Sequence, residues 1–225
     1  MRRIPVISTA VAALLAVFSA QAVPILIDDF NSPDMVVIDQ VGGGATLVNS
    51  PGFIPNSRSV SHELLSGTNT LTGDGSRVTI GSTTFPVGSL EVANASGRDS
   101  EVKVGWTIPA GLVPAVGSGG MASMAVTVVE SDGNPTSLEL LVNNVSQGTF
   151  SIAGNTSNDT NYFLLSAAAQ NALAGGGQMV LVINGDTGWD MTIDSFGIEV
   201  PEPGSMALVG LALVAGGLAS RRHRA

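Results

Sequence analysis

The chain reads as an all-β protein, a jelly-roll-like β-sandwich with one short helix. Three observations predict this. The body between residues 23 and 199 is rich in Gly, Ser, Thr, Asn and Val and breaks into short segments separated by turn clusters. Several segments alternate with a period of two: Val102, Val104, Trp106 and Ile108 share one face, and Glu101, Lys103, Gly105 and Thr107 the other. Only one stretch, 167–174, has the composition of a helix, and one helix among a dozen strands suits a sandwich.

Taken in order, the expected strands are 25–30, 35–39, 45–49, 59–65, 77–80, 89–93, 101–108, 122–130, 136–143, 145–152, 162–164, 178–184 and 191–200. The first and last share an irregularity. Ile25 and Ile27 have one parity and Phe30 the other; Met191 and Ile193 have one parity and Phe196 and Ile198 the other. Each segment changes phase at an aspartate, as a β-bulge would make it do. In jelly rolls the terminal strands often lie side by side. Residues 109–120 form a loop rich in Pro and Gly. Leu138, Leu140 and Val142 alternate, and Asn143-Asn144 then supplies a tight hairpin turn, because Asn tolerates positive φ. Ser166 is a natural N-cap for the helix, and Gly175 can end it. The uninterrupted run 179–183 predicts a central strand.

Charge and composition narrow the function. Residues 24–200 carry four basic and seventeen acidic side chains, a net charge of −13. Such a body repels nucleic acid and acidic membrane surfaces. The 225-residue chain has no cysteine, which removes disulfides and thiol chemistry. Between the two terminal segments His62 is the only histidine. It stands between Ser61 and Glu63 and reads as a surface residue. No Gly-x-Ser-x-Gly elbow supplies a nucleophile, no His cluster offers a zinc site, and the glycine triplets at 42–44 and 175–177 lack the Lys-Ser/Thr of a phosphate loop. No catalytic residue is assigned.

Two binding expectations remain. If the terminal strands are neighbours, their bulged acidic segments bring Asp28, Asp29, Asp190 and Asp194 together as a hard oxygen site for one structural calcium ion. Trp189, in a Gly-Asp-Thr-Gly turn region, is the candidate for stacking on a glycan.

The two ends are addresses. Arg2 and Arg3, an apolar run to Phe18 and the Ala20-Gln21-Ala22 cleavage site make residues 1–22 a signal peptide for the general secretion machinery. At the other end, Pro201 and Pro203 flank Glu202 and stiffen an extended knuckle. Residues 204–219 then carry no charge. As a helix this run is roughly 24 Å long, against a hydrocarbon core of about 30 Å. Arg221, Arg222 and Arg224 follow and hold the tail on the cytoplasmic side.

This tail closely resembles the PEP-CTERM sorting signal: Val-Pro-Glu-Pro at 200–203, a glycine- and leucine-rich membrane helix at 206–219, and Arg221-Arg222 in the basic end. The resemblance covers 26 of the 225 residues. It implies export, transient residence in the inner membrane of a Gram-negative, exopolysaccharide-making bacterium, and handling by an exosortase. The expected organisation is a signal peptide (1–22), a β-sandwich (23–199) and a sorting signal (200–225). The expected role is a non-enzymatic surface or matrix protein associated with exopolysaccharide. A carbohydrate-binding module is the first rival reading, and a secreted hydrolase the second.

Overall fold

The computed structural model of the chain describes residues 22–31, 35–39, 46–50, 58–66, 75–81, 88–116 and 120–201. The expected signal segment up to Gln21, the sorting helix at 206–219 and the basic tail at 221–224 lie outside the described residues. Among the described residues no helix is long and apolar enough to cross a membrane.

The described residues form thirteen strands and one helix. The strands are β1 (Ala22–Asp28), β2 (Met35–Val37), β3 (Thr46–Ser50), β4 (Arg58–Ser66), β5 (Ser76–Ile80), β6 (Leu90–Asn94), β7 (Asp99–Ile108), β8 (Ser123–Ser131), β9 (Thr136–Val142), β10 (Val145–Ile152), β11 (Ser157–Leu164), β12 (Gly177–Gly185) and β13 (Met191–Pro201); helix α1 is Ala167–Ala174. They make two antiparallel sheets. One has seven strands in the order β11-β8-β13-β6-β5-β2, with β1 also paired to β13; the other has six, β10-β9-β12-β7-β4-β3. Alternating inward residues of both sheets fill one core, from Val102, Val104 and Trp106 of β7 to Met124, Val126 and Val128 of β8. Burial of this apolar area is the main stabilising term, at roughly 25 cal/mol per Å² removed from water.

Local chemistry explains the connections. The β9–β10 hairpin turns at Asn143 and Asn144, with φ of 47° and 64°, as a two-residue turn requires. Asn143 Oδ1 also accepts the Gln178 N–H at 2.8 Å and ties the turn to β12. Ser166 caps α1 by accepting the Ala169 N–H. The end of α1 differs from the expectation in detail. Gly175 is right-handed with φ −80°, and the left-handed residue is Gly176 at φ 91°.

The terminal strands do lie side by side: Ala22 pairs with Pro201 and Ile25 with Ile198. Both phase changes are irregularities of pairing. The β1 register skips Ile27, so Ile27 and Asp28 are both buried; the β13 register against β8 skips Asp194, which is left exposed.

The pairing also gives the sandwich two poles. At one lie the 109–116 loop, the Asn143-Asn144 turn, α1, the start of β1 and the end of β13. At the other lie the β6–β7, β8–β9 and β12–β13 connections.

Candidate functional site

Among the described residues, two buried polar clusters around Arg58 and His62 and two surface depressions hold polar chemistry of interest. The first cluster is ionic. Because of the bulge at Ile27, Asp28 turns into the core, where it is 1% exposed. Arg58, fully buried at the start of β4, donates from Nη1 to Oδ1 at 3.0 Å and to Oδ2 at 3.1 Å. Trp106 Nε1–H donates to Oδ2 at 2.7 Å, and the Phe30 N–H to Oδ1 at 2.9 Å. Aromatic rings wall the pair in: Trp106 stacks on Phe196 with centroids 4.1 Å apart, and the guanidinium lies 5.9 Å from the centre of Phe30. Every oxygen of Asp28 is committed to these donors.

The second cluster is neutral. His62 is fully buried, which corrects the surface reading. Its Nδ1 accepts the Asp39 N–H at 2.8 Å, so the ring proton sits on Nε2 and is given to Ser76 Oγ at 2.6 Å. Ser76 and Ser100 donate to Asn94 Oδ1, and Asn94 Nδ2 donates to the Trp189 carbonyl at 2.5 Å. Burial pushes the His62 pKa below its ordinary 6.5, against a smaller upward pull from Asp39. The His62–Ser76 pair is not set up as a base and a nucleophile. Nε2 is the donor, whereas a general base needs it as acceptor, and Ser76 is 1% exposed. One signal in the sequence marks both buried residues: Arg58 and His62 share the parity of Val60 and Leu64, the apolar face of their strand.

An acidic cleft of about 290 Å³ lies towards the far pole, lined by Glu91, Glu130, Asp132 and Asp190 among others. Burial raises the Asp190 pKa, the N–H from Asn94 at 2.6 Å pulls it down, Asp132 and Glu91 push it up, and Arg77 lowers it. On the outer face of the six-stranded sheet a shallow groove of about 210 Å³ is lined by Ser59, Gly105, Thr107, Gln178 and Val180. Gly105 forms its floor. A Cβ there would come within 2.5 Å of Ser59 Oγ, so any side chain would fill the groove.

The predicted calcium set does not assemble. Asp28 is consumed by Arg58 in the core, and Asp29 is held by Asn31 at 2.8 and 3.1 Å. Asp190 faces Asn94, and Asp194 faces solvent because the bulge turns it outward. Among the described residues no three His, Asp or Glu side chains converge as metal ligands. These four aspartates therefore do not fit a calcium ion. Trp189 also departs from expectation. It is fully buried, with Nε1–H donating to the Ser100 carbonyl at 3.2 Å, and offers no ring face to a sugar. The turn before it folds the indole back into the sandwich, since the Trp189 N–H bonds the Asp186 carbonyl. Of the sorting triplet, Pro201 ends β13, whereas Glu202 and Pro203 lie outside the described residues. Ala22 opens β1, and Ala20 lies outside the described residues.

No curated protein matches this chain. Among solved structures it is similar to the CBM36-1 domain of a multidomain xylanase from the hindgut metagenome of Trinervitermes trinervoides, at 17% identity and a TM-score of 0.36, over 74% of this chain and 96% of that one. It is similar to a carbohydrate-binding module CBM36 in complex with calcium and xylotriose, at 17% identity and a TM-score of 0.33, over 69% and 98%. It is also similar to a family 11 carbohydrate-binding module of the cellulosomal cellulase Lic26A-Cel5E of Clostridium thermocellum, at 13% and 0.35, over 80% and 95%. Likeness at this level carries none of their residues or ligands onto this chain. The tail is different, because there a family model matches. Where the last core strand runs out, across residues 199–224, the chain carries the PEP-CTERM protein-sorting motif.

Proposed function

We propose that this protein is exported through the general secretion machinery, held briefly in the inner membrane by residues 206–219, and released by an exosortase to the cell surface or extracellular matrix. There the sandwich works as a structural component in contact with exopolysaccharide. The observation that carries this reading is the sorting motif at 199–224, which begins within the last three residues of β13 and leaves the body no spacer. On this reading the domains are a signal peptide (1–22), the β-sandwich (23–199) and the sorting signal (200–225). The test is fractionation of the native host into membrane, medium and matrix, with mass spectrometry of the mature ends. Deleting 206–225, or replacing Glu202 with Ala, is expected to change the fraction in which the protein is found while leaving the circular dichroism of the body unchanged. A deletion variant processed and localised like the parent would refute the reading.

A second reading, carbohydrate binding, is favoured by the groove over Gly105. Its lining of one amide, two hydroxyls, the Val180 side chain and backbone is neutral in a body of net charge −13, and suits a neutral polyhydroxylated chain. Affinity electrophoresis in gels containing the host's exopolysaccharide tests it. Gly105→Val is expected to abolish any retardation by filling the groove, and equal retardation of this variant and the parent would remove the reading.

A further inference from the structure

We infer that the pole bearing the sorting tail is a membrane-facing surface, seated on the lipid headgroups while the tail is inserted. The inference rests on the membrane-held stage proposed above and adds the orientation and contact surface of the body. Three observations carry it.

The first is the distribution of charge. Among the described residues, the tail-side pole includes 109–116, 120–123, 143–147 and 164–178 and the paired chain ends 22–25 and 199–201. Within these segments Glu199 is the only charged residue. The far-pole turns, 95–101, 130–136 and 184–191, hold six carboxylates and one arginine. An anionic lipid surface therefore repels one pole of this acidic body and is nearly indifferent to the other.

The second is what the uncharged pole exposes. Val145 at the hairpin is 62% exposed, Leu164 at the end of β11 is 63%, and Met121 and Val116 in the long loop are 37% and 36%. Around them are Ala167, Ala168, Asn143, Asn144 and Ser166, all uncharged and exposed. Scattered aliphatics of this kind bind a bilayer weakly alone, but a tether raises their effective concentration to the millimolar range.

The third is reach. Only residues 202–205 separate Pro201 from the apolar run beginning at Met206. A fully stretched chain spans at most about 3.6 Å per residue, so this link covers roughly 15–18 Å. The headgroup layer takes up about 5–8 Å of that. That leaves roughly 7–13 Å, so with the run inserted the pole that holds Pro201 is kept close to the lipid surface and the far pole is not.

The absence of cysteine allows a direct test. The full chain is reconstituted into vesicles of phosphatidylethanolamine and phosphatidylglycerol, with one introduced cysteine carrying an environment-sensitive fluorophore. The labelled positions are Val145→Cys and Val116→Cys at the tail-side pole and Thr187→Cys, in an exposed turn, at the far pole. Lipid-borne quenchers are expected to quench the first two several-fold more than the third, and aqueous iodide is expected to do the reverse. Adding Leu164→Asp to the Val116→Cys chain is expected to reduce the lipid quenching while the melting curve stays within a few degrees. Equal quenching at both poles in chains that float with the vesicles overturns the inference alone. Chains that do not float overturn both it and the membrane-held stage.

Discussion

Arg58 and His62 stand four residues apart on the same buried face of β4, and each anchors a polar cluster that links β4 to other strands. The two clusters solve burial differently. Arg58 keeps its charge and is matched by Asp28, with Trp106 and the Phe30 N–H completing the carboxylate. His62 gives its charge up: its tautomer is set by the Asp39 N–H, and the hydrogen bonds beyond it run through neutral hydroxyls and an amide to the Trp189 carbonyl. An ion pair in the core must be complete or it is costly, because an unpaired buried charge has no water to fall back on. A neutral relay degrades by single hydrogen bonds.

The largest effect should come from breaking the ionic cluster on one side. Arg58→Met leaves Asp28 as a buried, uncompensated carboxylate and should lower unfolding free energy by about 3–5 kcal/mol, measured by urea denaturation. The double variant Arg58→Met/Asp28→Leu should recover much of that loss. If the single and double variants are equally unstable, the charge is not what matters at this site. In the neutral cluster, Asn94→Ala removes the acceptor for two buried hydroxyls and the donor to Trp189, and should cost about 1–3 kcal/mol. A loss as large as that of Arg58→Met would erase the distinction between the clusters.

Acid should act on the two clusters unequally. The folded His62 pKa lies below its ordinary 6.5, so below that pH the unfolded chain takes up a proton that the folded chain resists. Its stabilising contribution is therefore complete above pH 6.5 and is lost as pH falls through the folded pKa. His62→Gln should flatten the stability profile in that window. Asp99 and Asp190, both raised chiefly by burial, act in the opposite sense: the folded chain binds their protons first, so their contribution grows on acidification towards the ordinary 3.8 and is lost as pH rises through the raised values. An unchanged profile between pH 7 and 5.5 for His62→Gln would contradict a buried neutral imidazole. The smallest effect is expected at the partly exposed surface pair Lys103–Glu101, where Lys103→Ala should change stability by about 0–1 kcal/mol because solvent screens the pair.

The contrast also explains what sequence could reveal. Strands, hairpin, helix and both bulges follow from signals within a few residues of each other: alternation, the Asn143-Asn144 turn, the Ser166 cap, and the shift of parity at Asp28 and Asp194. The polar clusters depend on partners far apart in the chain. Asp28 meets Arg58 across 30 positions, and Asn94 meets Trp189 across 95. Nothing local distinguishes an aspartate that will accept from an arginine in the core from one that will bind a cation in solvent. Trp189 departs from expectation for the same reason: a Gly-rich turn normally faces water, and the apolar core and the Ser100 carbonyl that receive this indole come from distant parts of the chain.

The position of β13 sets the timing of folding. The strand pairs with β1, β8 and β6, so the seven-stranded sheet cannot close until the last segment of the body has been made. Contacts this distant in sequence form slowly. A ribosome therefore delivers nearly the whole body before the chain can adopt its closed shape. The same strand that completes the fold runs into the sorting motif, so the body locks only as the chain reaches that motif.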